Sequence, residues 1–157
     1  MFQPREIVYG FVKGINPPHH KYIVTIYQDE ELSIVACFTT SQGRAGVPED
    51  KIHHGAIYRE KECVSYVFDK NHCIGLNPET GVEFSFPKRT VITFDYGVRE
   101  GQKEYFLRQF ENPKVVCELY ETEYIELVYA MYRSPHTRET HKRVLYRILD
   151  AYYTKSE

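Results

Sequence analysis

The segment HHKYIVTIYQDEELSIVACFTTS, residues 19–41, consists of two apolar runs on either side of an acidic turn. The runs 21–27 and 32–40 are rich in β-branched and aromatic residues, which favour strands. Residues 28–31 (QDEE) separate them by a short connection, which is typical of a β-hairpin. Alternate residues of the second run would share one face of the sheet, namely Leu32, Ile34, Ala36 and Phe38. We therefore predict an antiparallel hairpin at this point of the chain.

Runs of the same kind recur over residues 1–119. The clearer ones are 5–15 (REIVYGFVKGI), 62–68 (ECVSYVF), 82–86 (VEFSF) and 90–94 (TVITF), and the weaker ones are 105–110 (YFLRQF) and 114–119 (KVVCEL). Turn residues such as Asn16-Pro17-Pro18 bound them. Gly10 inside the first run suggests a bend of the kind that a small barrel needs. Many short strands without intervening helices predict an antiparallel barrel or sandwich.

Residues 120–157 have a helical pattern instead. The segment 121–133 (ETEYIELVYAMYR) has apolar residues at helical spacing, namely Tyr124, Leu127, Val128 and Met131. Ser134-Pro135 then fits the start of a second helix, over about 137–153. Its apolar face would consist of Val144, Leu145, Ile148 and Tyr152. Its basic face, with Arg138, Lys142, Arg143 and Arg147, is either a solvated surface or a stripe for a nucleic acid or protein partner.

Composition narrows the functional classes. The 157 residues carry 20 Lys+Arg against 22 Asp+Glu, so a globally basic nucleic-acid binder is not expected, although a local basic patch is compatible with this balance. There is no run of 18 apolar residues and no signal-peptide pattern at the N-terminus, so we expect a cytoplasmic protein without membrane spans. The four cysteines form no CxxC pair. We expect them to be reduced and mostly buried thiols.

The hairpin brings two polar segments to one edge of the sheet. Pro17-Pro18-His19-His20-Lys21-Tyr22 opens the first strand, and Thr39-Thr40-Ser41-Gln42-Gly43-Arg44 follows the end of the second. Imidazole and ammonium groups bind phosphate, and histidine is the usual acid or base near neutral pH. Hydroxyl and backbone N–H groups at a strand end also hold anions. The simpler alternative for each segment is a polar turn. In a hairpin, however, Lys21 and Thr40 would meet at one rim.

Two further groups of residues are weaker candidates. His19-His20, His53-His54 and His72-Cys73 offer metal ligands, but their spacing matches no standard zinc pattern, and we expect no metal and no cofactor. Lys88-Arg89, between Pro87 and Thr90, could contact RNA through phosphate pairing, or could be an ordinary basic turn.

The order of these segments resembles the MazF/PemK-like toxins, small endoribonucleases of toxin–antitoxin systems built on an SH3-like barrel. The resemblance covers about the first 95 residues: a first strand at 7–12, a basic residue that opens the second strand at Lys21, and hydroxyl residues that end the third. It implies a small antiparallel SH3-like β-barrel. Together with the helical pattern of the C-terminal part, which is longer than the single terminal helix usual in the family, it predicts a single α+β domain, 1–157, with the barrel mainly over 1–119 and a two-helix extension, 120–157, packed on it. The sequence departs from the family where Lys21-Tyr22 replaces Arg-Pro, because lysine lacks the planar fork of arginine.

The resemblance implies the cleavage of single-stranded RNA without metal, in a toxin–antitoxin or phage-defence system. The family's catalytic residues fall on Lys21, Thr40 and Ser41, and we add His20 as the candidate acid or base. The family's basic RNA-binding segment falls on Lys88 and Arg89, and we add His19 and Arg44 from the two polar segments of the hairpin. The implied partners are RNA and a cognate antitoxin, protein or RNA, and a homodimer is compatible with this assignment. The alternative is a non-catalytic barrel that binds a protein or nucleic acid partner.

Overall fold

A computed structural model describes residues 1–41 and 49–155, over which the chain forms ten strands and three helices. The strands are β1 (Glu6–Val12), β2 (His19–Gln28), β3 (Ile34–Thr40), β4 (Gly55–Arg59), β5 (Glu62–Phe68), β6 (Gly75–Leu76), β7 (Glu83–Phe84), β8 (Thr90–Thr93), β9 (Val98–Gly101) and β10 (Phe110–Leu119). The helices are α1 (Lys103–Gln109), α2 (Glu121–Arg133) and α3 (Glu139–Lys155).

The strands form a curled antiparallel sheet, a half-barrel, in the order β4-β5-β8-β3-β2-β1-β10-β6-β7, with β9 beside β3. The predicted hairpin is confirmed, since β2 pairs with β3 and Ile23 lies opposite Phe38. The predicted α+β class, with a small barrel-like sheet and C-terminal helices, is confirmed as well.

Both faces of the central strands are buried, each in a core of its own. The first core joins Ile7 and Val24 of the sheet to Leu127 of α2 and Leu145 of α3. The second core lies across the sheet and contains Ile23 together with residues of α1 and the start of β10. Because side chains alternate along a strand, neighbouring residues of β2 enter opposite cores. Two-sided burial explains why consecutive residues such as Ile7-Val8, Ile23-Val24 and Ile34-Val35 are apolar.

The face predicted for β3 is correct in part. Ile34, Ala36 and Phe38 lie in or against the second core. Leu32, however, precedes the strand and is exposed. Val35 and Cys37, on the other face, are buried in the first core.

Gly10 marks an irregularity in β1, as predicted. The register between β1 and β10 shifts between Tyr9 and Phe11. A Cβ atom at Gly10 would lie 2.8 Å from the ring of Phe110. Glycine is therefore required at this position, because β10 approaches β1 too closely here to leave room for a side chain.

The C-terminal helices follow the sequence prediction closely. α2 covers 121–133 as expected, and its four predicted apolar residues are all buried. α3 covers Glu139–Lys155 and buries Leu145 and Leu149 against the first core. Val144, Ile148 and Tyr152, the other members of the predicted stripe, pack against it while partly exposed.

The segment 105–110 was predicted as a weak strand, and this was wrong over most of its length. Residues 103–109 form α1, and β10 begins only at Phe110. The aromatic residues suggested a strand, but Phe106 and Phe110 are spaced by four and enter the same core. In addition, no helix within 1–41 and 49–155 is long and apolar enough to cross a membrane.

Candidate functional site

A groove of about 490 Å³ lies where β2 begins and β3 ends, and we call it the hairpin groove. It collects six of the eight residues that were predicted to act on RNA: His19, His20, Lys21, Thr40, Ser41 and Lys88. These residues come from three separate segments of the chain. The hairpin brings the first two segments together, and the turn before β8 adds the third. The predicted convergence of Lys21 and Thr40 is therefore present.

Lys21 is held in place by the opposite strand. Its Nζ donates a hydrogen bond of 2.9 Å to the carbonyl oxygen of Thr39. The buried hydroxyl of Thr39 in turn donates to the carbonyl oxygen of Tyr22 at 3.0 Å. These two bonds close the end of the hairpin through side chains. They fix a positive charge beside the end of β3, where Thr40 and Ser41 contribute hydroxyl groups to the groove.

The side chain of His20 lies on the face of β2 opposite to that of Lys21, because side chains alternate along a strand. There it packs against aromatic residues. Its ring stacks on Tyr9, with the ring centroids 5.2 Å apart and the planes inclined by 22°. Phe11 contacts the same imidazole edge-on, at 5.4 Å between centroids. Tyr9 also packs on Tyr22 at 4.4 Å. The imidazole is exposed and lines the groove, but it is restrained by two neighbouring side chains, Tyr9 and Phe11.

His19 is oriented by its own loop. Its Nδ1 lies 2.7 Å from the carbonyl oxygen of Pro17, and a carbonyl oxygen can only accept a hydrogen bond. Nδ1 therefore carries the proton. In the neutral ring this leaves a lone pair on Nε2, which is the nitrogen of a general base. His19 is thus prepared for proton abstraction by a contact that the sequence did not reveal.

The remaining predicted residues divide into three cases. Lys88 lines the hairpin groove from an exposed position. Arg89, its neighbour, forms an ion pair with Glu49 and does not line the groove. Arg44 lies outside the described residues.

A smaller depression of about 220 Å³ adjoins the hairpin groove and shares Lys21, Thr40 and Tyr96 with it. It also contains Arg99, which the sequence analysis missed. The guanidinium of Arg99 lies 5.8 Å from the ring of Phe38 and donates to the carbonyl oxygen of Tyr96 at 2.5 Å. Arg99 belongs to β9, a strand too short to be recognised from its sequence, and it reaches this place because β9 pairs with β3.

A second polar cluster joins α2 to the sheet. Glu123 accepts hydrogen bonds from His54 Nε2 at 2.6 Å and from the Tyr66 hydroxyl at 2.7 Å. The backbone N–H of Asp69 donates to His54 Nδ1 at 3.0 Å. His72 stacks on His54 with the ring centroids 3.9 Å apart. His54 and His72 were named from the sequence as possible metal ligands, but their association with Tyr66 and Glu123 was not predicted, because Glu123 lies 69 residues from His54 and 57 from Tyr66.

The hydrogen bonds of this cluster determine its chemistry. His54, His72 and Glu123 offer three ligand atoms within 4.8 Å of one another, which is a spacing that a metal ion could bridge. The Asp69 N–H, however, requires a lone pair on His54 Nδ1, so that Nε2 carries the proton and donates it to Glu123. A metal on Nε2 would have to displace that proton. The contacts therefore fit a structural clamp between α2 and β5.

The electrostatics of the clamp favour an ionised Glu123. Burial alone would raise the pKa of Glu123, but the hydrogen bonds from His54 and Tyr66 outweigh it and hold the pKa below its usual range. The same arrangement raises the pKa of Tyr66, through burial first and then through the adjacent carboxylate. Tyr66 therefore stays protonated and donates throughout the physiological pH range.

Comparison of the chain with protein-family models, curated proteins and solved structures found no match.

Proposed function

We propose that this protein is an endoribonuclease that resembles the MazF/PemK-like toxins and cleaves single-stranded RNA without a metal ion. The observation that carries the proposal is the hairpin groove, which is lined by residues with imidazole, ammonium and hydroxyl groups from separate segments. Phosphodiester cleavage needs these three kinds of group: an acid or base, a cation for the developing charge, and donors that position the phosphate.

The proposed reaction uses the 2′-hydroxyl of the RNA as the nucleophile. A histidine of the groove removes the 2′-hydroxyl proton, and the 2′-oxygen forms a bond to the adjacent phosphorus. The bond from phosphorus to the 5′-oxygen of the next nucleotide breaks, and that oxygen takes the proton from the imidazolium formed in the first step, which returns the histidine to its neutral state. The products are a 2′,3′-cyclic phosphate and a 5′-hydroxyl end. All atoms and protons are accounted for by the RNA and the side chains of the groove.

Each residue has a role that follows from its position. Lys21 stabilises the extra negative charge on the phosphate oxygens, and the Thr39 carbonyl keeps its ammonium at the rim. Thr40 and Ser41 position the phosphate. His20 is the acid or base, and His19 can replace it because the lone pair of its neutral ring is on Nε2. Lys88 supports the RNA strand.

A direct test is the incubation of purified protein with RNA in the presence and absence of EDTA. We expect discrete cuts that persist with EDTA and carry 2′,3′-cyclic phosphate ends. An oligonucleotide with a single 2′-deoxyribose at the cleaved position should resist cleavage there. Loss of cleavage in EDTA, or cleavage of the 2′-deoxy substrate, would overturn the proposed mechanism.

The proposed setting is a toxin–antitoxin or phage-defence system in the cytoplasm, with RNA and a cognate antitoxin as partners. The four free cysteines are compatible with a reducing compartment. An adjacent gene that relieves toxicity on expression would support this setting. Expression without any effect on growth would count against it.

The second candidate function is a non-catalytic barrel that binds a protein or nucleic acid partner. It is favoured by the hydrogen bond between Lys21 and the Thr39 carbonyl, because this bond gives Lys21 a structural role. Binding of RNA without cleavage, at any metal concentration, would select this candidate.

A further inference from the structure

A second groove lies on the other side of His20, and we call it the β1–β10 groove. This groove has a volume of about 520 Å³ and lies between β1 and the first half of β10. Tyr9 and His20 line both this groove and the hairpin groove, so that their stacked rings form a wall common to the two. Phe11 lies beside His20 on the side of the β1–β10 groove. We call Tyr9, Phe11 and His20 the aromatic ridge.

We propose that the aromatic ridge and the β1–β10 groove bind a nucleobase of single-stranded RNA, one step along the strand from the phosphate held in the hairpin groove. This inference rests on the proposed function for the identity of the substrate. It goes beyond the proposed function by assigning a role to Tyr9, Phe11, Asn112 and Lys114, which neither the predicted site nor the mechanism includes.

The composition of the β1–β10 groove suits a base and its phosphate. Tyr9 and Phe11 are partly buried and His20 is exposed. The three rings are flat and restrained by one another, and such side chains are the usual platforms for unpaired bases. Lys114, exposed on β10 directly opposite Tyr9, supplies a cation for the backbone. Asn112 adds an amide that can both donate to and accept from a base edge.

The charge balance of the groove is compatible with RNA. Glu111 is the acidic residue of its lining, and Lys13 lies 3.9 Å from the Glu111 carboxylate. This ion pair offsets the negative charge. Lys114 is then the cation that a phosphate would meet.

The test uses a 12-nucleotide single-stranded RNA with 2′-O-methyl riboses, which a 2′-hydroxyl mechanism cannot cleave. Binding is measured by fluorescence anisotropy at several salt concentrations. Loss of one stacked base typically weakens binding about 5- to 150-fold, and we expect this effect for Phe11→Ala. Phe11→Tyr should bind like the wild type. Lys114→Ala should weaken binding and make the salt dependence shallower by about 0.7 in slope.

Matched controls separate the groove from general effects on charge or folding. Lys70→Ala removes an exposed lysine that lines neither groove, and Tyr146→Ala removes an exposed aromatic residue of α3. Both should leave binding unchanged. An abasic 12-nucleotide backbone should bind wild-type protein as weakly as the intact oligonucleotide binds Phe11→Ala. Equal binding of the abasic and intact strands would overturn the base-stacking proposal.

The two proposals fail in different ways. Cleavage of RNA by wild-type protein, with unchanged binding by Phe11→Ala and Lys114→Ala, would remove the β1–β10 groove and leave the proposed function standing. Binding that depends on Phe11 and on the bases, without any cleavage of ordinary RNA, would support the groove and overturn the nuclease.

Discussion

The ammonium group of Lys21 lies 2.9 Å from the carbonyl oxygen of Thr39, across the β2–β3 hairpin. The contact joins the start of β2 to the end of β3. It places a cation next to Thr40. It follows from the antiparallel pairing of two strands that are separated by only a short acidic turn. The meeting of Lys21 and Thr40 thus follows from local topology, and either residue can be altered without removing a side chain from the two cores.

The first prediction concerns the two histidines of the hairpin groove. If His20 is the acid or base, His20→Ala should lower the cleavage rate about 100- to 10,000-fold, because general acid–base catalysis contributes by that factor. A larger loss in His19→Ala than in His20→Ala would transfer the role to His19. Cleavage assays with both single variants and the double variant decide the assignment. Full activity in the double variant would show that the base lies elsewhere.

The second prediction concerns the clamp between Glu123 and the sheet. The pKa of Glu123 is depressed in the folded protein, so its contribution to stability is present above the unfolded pKa and is lost as the pH falls through the folded pKa. Glu123→Gln should lower the free energy of unfolding by about 1.5–3 kcal/mol at pH 7, as for other hydrogen bonds to a charged group. The difference from wild type should shrink below about pH 4.

Urea unfolding at a series of pH values measures this difference. Tyr66→Phe is the matched variant, since it removes one of the two side-chain hydrogen bonds and keeps the charge. A Glu123→Gln effect that stays constant between pH 7 and pH 3 would contradict the ionised clamp.

The third prediction concerns the cysteines, which are all free. Cys37, Cys63 and Cys117 are buried, and burial raises the pKa of Cys37 to about 12, of Cys63 to about 11 and of Cys117 to about 12. Cys73 is only partly buried. Because the thiolate is the reactive form, only Cys73 should react rapidly with a thiol reagent at pH 8. Four thiols should react in denaturant without reductant, whereas two or none would show that disulfides form.

The fourth prediction concerns the packing of α3. Leu145 is fully buried against the first core, and its truncation should create a cavity. Leu145→Ala should therefore cost about 2–5 kcal/mol of the free energy of unfolding. Tyr146→Ala, at the exposed neighbouring position, should change it little. Equal unfolding curves for Leu145→Ala and wild type would mean that α3 detaches from the sheet in solution.

The fold was predictable where a single short segment contains the whole signal. The hairpin of β2 and β3 is one example, and α2, with its regular spacing of Tyr124, Leu127 and Val128, is another. α1 was mistaken for a strand because its seven residues are too few to show a helical period among so many aromatic side chains. β9 was missed because its four residues depend on pairing with β3.

The candidate site, like the fold, was predictable from the sequence only where neighbouring segments form it. Lys21 and Thr40 are brought together by the hairpin, so their meeting could be derived from sequence order. The orientation of His19 depends on a turn carbonyl, and Arg99 arrives on a strand from a distant segment. Glu123 meets His54 across 69 residues of chain. The positions of Arg99 and Glu123 depend on contacts between distant segments, which have no local signal in the sequence, whereas the contact of His19 spans only two residues and depends on the conformation of the turn.

The most direct test of the account is the cleavage rate of Lys21→Ala, measured beside its thermal unfolding. Removal of one group that stabilises the transition state costs about 100- to 1,000-fold in rate, and we predict that loss for Lys21→Ala. Thr40→Ala should lose less, because it positions the phosphate without neutralising it. Lys70→Ala serves as the control for loss of an exposed lysine, and all three variants should fold. Full activity in a folded Lys21→Ala variant would contradict the account and remove the hairpin groove as the site of cleavage.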